Sequence, residues 1–348
     1  MKKVRVGVMG AGFIGRTHIR SAASVAEIEI AGYVDPMAKT DKPELSRLRS
    51  FPTLEAMAAD GLDGVVIALP DDLHVPVATR ALELGLAVLL EKPAATSLEE
   101  CLRLAAAPNA LARLQVGHQR RHHPASRLVR SLIDTDRLGK VVAVAGVFAL
   151  RKDDNYFVER PRGVGLTNLI HDLDILQFYC GRLTHVSASV SHRARGAREE
   201  DTLALVMDFE TGIVGSMVAT DSSPSPWGWD QSTHELPSIP FTDTGSTYSL
   251  LGTKAALSIP NMRLFEHRPG ESWHQPLIET SLRADGDSAY VNQLAHFADV
   301  IRGSAKPNAG INEALSTQAG LEAVFVSARE GRRVALAELI DAPAIPRT

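Results

Sequence analysis

Val4-Arg5-Val6-Gly7-Val8-Met9-Gly10-Ala11-Gly12-Phe13-Ile14-Gly15 is an apolar run that ends in three spaced glycines. The run suits a buried strand, and a helical pattern follows over residues 12–24. In Gly10-x-Gly12-x-x-Gly15 the first glycine makes a tight turn. The second admits a pyrophosphate to the backbone, and the third lets the helix pack on the strand, so that phosphates sit at the helix N-terminus. Gly10, Gly12, Phe13, Ile14 and Gly15 are therefore candidate cofactor contacts. A second strand, residues 28–34, ends on Asp35, 20 residues after Gly15. That is the place of the acid that bonds the adenosine ribose hydroxyls. A carboxylate there repels a 2′-phosphate, which favours NAD; Lys39 nearby is the feature that would admit NADP.

Working outward, the pattern predicts strands over 64–69, 87–90 and 114–117 and helices over 53–59 and 75–84. Ser97 with Glu100 forms a capping box for the next helix. Strands alternating with helices predict a parallel sheet covered on both faces, an α/β doubly wound Rossmann domain. The texture changes near Pro124. A helix over 125–133 leads into extended segments at 140–150, 186–190, 202–209, 212–219, 249–251 and 255–259, joined by turns such as Glu210-Thr211-Gly212. These predict a largely antiparallel sheet, interrupted by a helix over 167–179. The chain closes on helices over 289–302 and 312–330. The expected division is a dinucleotide-binding domain, 1–122, and a second α/β domain, 123–348.

Composition agrees with two such domains. The chain has 348 residues and is 45% apolar, with Lys+Arg 37 against Asp+Glu 41 and a net charge of -4. There is no basic stripe to hold nucleic acid; Arg120-Arg121-His122-His123 is too short. The N-terminus leads into a glycine turn rather than an apolar signal core, and no stretch reaches the ~20 apolar residues of a membrane span. A cytoplasmic location is the expectation. Cys101 and Cys180 are expected reduced and buried. His118 and His122 are spaced i, i+4, but no acid or cysteine set completes a metal site, so no metal is expected.

Chemistry concentrates in three places. Ala68-Leu69-Pro70 ends a strand at the sheet edge where ligands of such folds bind. His74, just beyond, either borders the nicotinamide ribose or caps the next helix. Glu91-Lys92-Pro93 ends another strand. There Lys92 either bonds a substrate oxygen and stabilises its developing charge, or is a surface lysine paired with Glu91. Pro93 is a candidate cis proline. In Asn168-Leu169-Ile170-His171-Asp172-Leu173-Asp174, His171 and Asp174 share a helix face while Asp172 points elsewhere. That pattern fits a general base oriented by a carboxylate, and equally a solvated helix face. Trp227 and Trp229 are candidates to wall a substrate pocket, to pack at a subunit interface or to fill the core. Asp153-Asp154-Asn155-Tyr156 and Arg160-Pro161-Arg162 read as a polar rim or a solvated loop.

Taken in order, the glycine loop, Glu91-Lys92-Pro93, Val116-Gly117-His118-Gln119-Arg120-Arg121 and Ile170-His171-Asp172-Leu173-Asp174 resemble the Gfo/Idh/MocA family over essentially the whole chain. The resemblance implies a Rossmann domain followed by an α/β domain with an open, mostly antiparallel sheet. It also implies homodimers or homotetramers built through that sheet, and NAD- or NADP-dependent redox chemistry on sugars, cyclitols and related cyclic diols. By position it makes Lys92 and His171 catalytic and Glu91 and Lys92 part of the cofactor site. It sets Arg121, Thr167 and Asp174 beside the substrate, where Trp227 is a further candidate. The sequence departs from the pattern in one respect: Thr167 stands where many relatives carry an aspartate four residues before the histidine. Either Asp174 or Asp172 takes over, or Lys92 and His171 act alone. A non-catalytic dinucleotide-binding redox sensor is the other expectation; such relatives tend to lose the lysine motif that is present here.

Overall fold

The computed structural model describes residues 2–38, 42–159, 162–233, 235, 239–242 and 245–341. The chain divides into two compact units: Met1–His123 with Asp287–Gln318, and Pro124–Gly286 with Ala319–Thr348.

The first unit is built on five parallel strands, β1 (Val4–Met9), β2 (Ile28–Val34), β3 (Gly64–Ile67), β4 (Ala87–Leu90) and β5 (Leu114–Val116). Their order is β2-β1-β3-β4-β5. Successive residues of a strand point to opposite faces, so a sheet buried on both sides sorts them into two cores. Val65, Ile67, Val88 and Leu90 enter one cluster with Met57, Leu82 and Leu104. Val66, Ala87 and Leu89 enter the other, with Val6, Val8 and Ile19. The chain leaves β1 for β2 on one side and returns to β3 on the other. That reversal opens the crevice at the carboxyl ends of β1 and β3 where ligands of such sheets bind.

Two sequence expectations are corrected here. The helix Ala289–Arg302 was assigned to the second domain, yet Leu294, Phe297, Ala298 and Val300 lie in the second of the two first-unit clusters. They are buried against Val6, Val8 and Ile19, and their apolar stripe finds its partner in a sheet laid down nearly 300 residues earlier in the chain. The division is therefore not a single cut near residue 122. The capping box at Ser97 is only half formed. Ser97 Oγ accepts from Glu100 N at 3.2 Å, but the Glu100 carboxylate takes the Thr96 N–H at 3.0 Å instead of that of Ser97.

The second unit carries nine strands: β6 (Val141–Ala149), β7 (Leu183–Ser191), β8 (Thr202–Phe209), β9 (Val214–Thr220), β10 (Tyr248–Gly252), β11 (Ala255–Ile259), β12 (Arg263–Glu266), β13 (Ile278–Ser281) and β14 (Val334–Ala335). The order is β13-β12-β11-β10-β6-β9-β8-β7-β14, antiparallel throughout except where β6 runs parallel to β9. The short strands β12, β13 and β14 were missed in the sequence, being too brief to show a period of two. In β8, Leu203, Leu205, Met207 and Phe209 face the core while Ala204 and Val206 face out. The helix Ile170–Cys180 is buried almost all round, so its polar residues must be satisfied from within. Both cysteines are buried and reduced, and burial pushes the Cys180 thiol up to about 12. Among the described residues no helix is long and apolar enough to cross a membrane.

If the helix Ala289–Arg302 belongs energetically to the first unit, Phe297→Ala will destabilise it by about 3–5 kcal/mol. Urea unfolding followed with and without NAD checks this: the NAD-stabilised transition should move, and a shift confined to a transition that NAD leaves unchanged would contradict the assignment.

Candidate functional site

The glycine loop is set by close backbone approaches. Gly10 has φ +89°, and a Cβ on it would lie 2.3 Å from Ala68 O. A Cβ on Gly15 would lie 1.9 Å from Gly10 O, so only glycine lets the helix Phe13–Ala22 start against the strand it follows. At Gly12 a Cβ would meet nothing within 4 Å. That open space, flanked by the first N–H groups of the helix, is what a pyrophosphate needs. Phe13 is exposed and Ile14 half-buried at the same helix start. Asp35 Oδ2 accepts from Ala11 N and Oδ1 from Met37 N, each at 2.8 Å. Each oxygen keeps a second lone pair for a ribose hydroxyl, so the residues fit a dinucleotide with an unphosphorylated ribose. Lys39 lies outside the described residues.

The strand ends beyond this loop are shaped by inward-turned polar groups. Leu69 and Pro70 follow β3. His74, expected at the ribose or at a helix cap, is 1% exposed and directs Nδ1 to Pro93 O at 2.7 Å and Nε2 to Leu69 O at 2.9 Å. Lys92 follows β4, half-buried, and its bond to Pro93 is cis. Glu91 turns away from the crevice: Oε1 meets His18 Nε2 at 2.7 Å, in the interior. Burial opposes its charge, but His18 and the neighbouring Lys92 prevail and hold the carboxyl below the usual range. A Cβ on Gly117 would lie 2.9 Å from that carboxylate, which explains a glycine at the end of β5. The Glu91 side chain, expected in the cofactor site, meets His18 in the interior beside the Lys92 turn. Arg121 is also buried and donates from Nη1 to Asn308 O at 2.8 Å, and Asn292 Nδ2 donates to His122 O at 3.1 Å. This segment is tied to Asp287–Gln318 of its own unit. His18 was not singled out in the sequence. Its signal was a histidine on the buried stripe Gly15, His18, Ile19 and Ala22 of the first helix.

In the second unit the expected helix over 167–179 starts with a π-helical turn, Gly165–Leu169, before the regular helix Ile170–Cys180. Glu200 packs against the start of this turn. Its Oε1 accepts from Gly165 N at 2.8 Å, and its carboxylate fills the space a Cβ on Gly163 would need. Burial pushes the Glu200 carboxyl up, with Glu199 and Asp221 adding to the shift. Thr167 Oγ1 donates to Gly163 O at 2.8 Å, and Asn168 Oδ1 accepts from Lys152 Nζ at 2.6 Å. His171 and Asp174 are buried on this helix. Asp172 is buried on the same helix, and its Oδ1 accepts from Tyr248 Oη. Neither Glu200 nor Lys152 was legible as a neighbour of this turn, since both are distant in sequence or in a differently patterned segment. The two tryptophans separate. Trp229 is fully buried, 6.4 Å from the Tyr248 ring, and fills the core. Trp227 is half exposed and lines a groove of about 960 Å³ along the sheet with Val147, Val206 and Val218. Of the expected polar rim, Asp153 accepts from Tyr156 N at 2.9 Å in a local turn, while Arg160 and Pro161 lie outside the described residues.

Comparison with known proteins agrees with this geometry. The family described as "Oxidoreductase family, NAD-binding Rossmann fold" matches residues 4–118, and "Oxidoreductase family, C-terminal alpha/beta domain" matches residues 130–336. The chain belongs to the Gfo/Idh/MocA oxidoreductases. It is 26% identical to an inositol 2-dehydrogenase of Rhizobium meliloti, over 96% of this chain and 99% of that one. It is 25% identical to a 1,5-anhydro-D-fructose reductase of Ensifer adhaerens, over 93% and 96% of the two chains. The fold matches, with a TM-score of 0.80 at 19% identity, an oxidoreductase from Agrobacterium radiobacter solved with NAD+, L-tartaric acid and magnesium; the match covers 97% of this chain and 100% of that one. The protein is an NAD-binding oxidoreductase of this family.

The glycine geometry separates two effects. Gly12→Val should leave the melting temperature within about 2 °C while weakening NAD at least about tenfold, because the added carbons occupy only ligand space. Gly15→Ala should lower both, because its Cβ collides with Gly10 O. Thermal melts beside NAD titrations check the contrast, and equal destabilisation by the two changes would contradict it.

Proposed function

We propose that the protein is an NAD-dependent dehydrogenase that oxidises a secondary alcohol of a sugar, a cyclitol or a related cyclic diol to the ketone. The observation that carries the reading is Lys92 at the carboxyl end of β4, on the sheet edge that also presents the glycine loop and Asp35. Bound NAD, held by Gly10, Gly12, Gly15 and Asp35, supplies the hydride acceptor. On the protein side, the Lys92 ammonium bonds the substrate oxygen and stabilises its alkoxide character. His171 takes the hydroxyl proton as general base, with Asp174 three residues on to bond a further hydroxyl. The preference for NAD over NADP rests on the Asp35 carboxylate.

Thr167 narrows the substrate. Its hydroxyl is turned on Gly163 O and Asn168 is held by Lys152, so this turn offers no carboxylate to a polyol. A substrate with fewer hydroxyls than inositol, or with a carboxylate of its own, suits it better. Nicotinamide reduction with NAD and NADP over inositols, aldoses, sugar acids and cyclic dihydrodiols tests the reading, with Lys92→Met and His171→Ala in parallel. Each substitution should lower kcat by about 10²–10⁴. Turnover that survives Lys92→Met would sink the assignment.

The outer sheet face supports self-association. Val206, Val214, Val218 and Trp227 are each at least half exposed or nearly so, at 54%, 50%, 42% and 50%. Large apolar residues exposed together on one sheet face suit an interaction surface, and a second copy of the chain is the occupant the family resemblance implies. Sedimentation should show a dimer or tetramer that Val206→Glu with Val218→Glu converts to monomer; a monomeric parent protein would refute this.

A further inference from the structure

β3 and β4 stop pairing just before the residues that matter. Their register ends at Ile67 opposite Leu90, and the last bond between the two chains is Glu91 N to Ile67 O at 2.9 Å. Beyond it run Leu69-Pro70 on one side and Lys92-Pro93 on the other. Prolines have no N–H, so Pro70 and Pro93 cannot continue the ladder. The fork is spanned by a side chain instead. His74, the first residue of the helix His74–Glu83, places its ring between Pro93 O and Leu69 O at 2.7 and 2.9 Å and is 1% exposed. Both partners are acceptors. Whichever nitrogen carries the proton, the ring donates to one strand end, and the doubly protonated ring donates to both. Buried carbonyls left without a donor are costly, so the ring is favoured in this place over any apolar filler.

We propose that His74 is a positioning residue, a brace that fixes the distance between the Leu69-Pro70 and Lys92-Pro93 turns and through the backbone holds Lys92 where it acts. The brace rests on the reading of Lys92 as the residue that bonds the reacting oxygen. It leaves in place the bonds of Asp35 to Ala11 N and Met37 N, which lie on other elements. Loss of the brace therefore separates chemistry from cofactor affinity, because a small misplacement of a reacting group is costly to turnover while phosphate binding is untouched.

His74→Leu keeps the volume and removes the ring's N–H donor, and His74→Gln restores an amide donor of similar reach. Hydrogen exchange by mass spectrometry, which needs no substrate, is read first. In His74→Leu the amides of residues 69–73 and 91–96 should exchange about tenfold faster, with those of residues 10–16 unchanged. The NAD dissociation constant from calorimetry should stay within about threefold. On the panel alcohol that turns over fastest, kcat should fall by about 10- to 100-fold with KM little changed, and His74→Gln should recover part of both exchange protection and kcat. Unchanged exchange at the two turns overturns the brace. So does a parallel loss of melting temperature, NAD affinity and kcat in both variants, which would mark a packing role. Lys92→Met run beside them separates the two readings: lost turnover there with wild-type behaviour in His74→Leu refutes the brace alone, whereas retained turnover in Lys92→Met refutes the role of Lys92 and the brace with it.

Discussion

The first unit depends on a contact between two glycines. Gly10 O occupies the space that a side chain at position 15 would take, and Ala68 O does the same for position 10. Both are hard steric limits between backbone atoms, with no flexible side chain to yield. They fix the angle at which the first helix leaves β1 and bring β3 close beside it. With the angle set, the Ala11 N–H points at Asp35 and the first amides of the helix face the open space at Gly12. Phosphate binding, ribose recognition and the crevice between β1 and β3 all follow from that one approach.

A second theme is the use of polar residues as internal struts. Glu91 pairs with His18 beneath the Lys92 turn, His74 stands between two carbonyls, Arg121 donates to Asn308 O, and Asp172 accepts from Tyr248 Oη. Each sits in or beside a motif that reads as a ligand-binding site, and each meets a partner inside its own unit. Strand ends and helix starts carry backbone groups that no ladder satisfies, and a buried charge is tolerated only when partnered. A site built at such ends needs fixed turns, and these side chains supply the fixing.

In the second unit a single carboxylate has the corresponding role. Glu200 sits where Gly163 has no side chain and binds Gly165 N, and the chain enters the His171 helix through a wide π turn. Such turns reorient the residues that follow them and recur at functional sites. Thr167 and Asn168 lie on this turn.

Read alone, the sequence determined the parallel sheet, the glycine loop, the acid that closes β2, and the alternation of β8, because these depend on periods and turns that are local in the chain. It also marked Lys92 and His171 by the company they keep. Tertiary structure alone decided that the helix Ala289–Arg302 completes the first unit's core, since a helix's apolar stripe does not name the sheet that will bury it. It decided too that Trp229 is core while Trp227, two residues away, faces out, and that Glu91 and His74 point inward. A charged or aromatic residue shows its type in the sequence, but its direction depends on partners such as His18, Leu69 and Pro93 that come together only when the chain has folded.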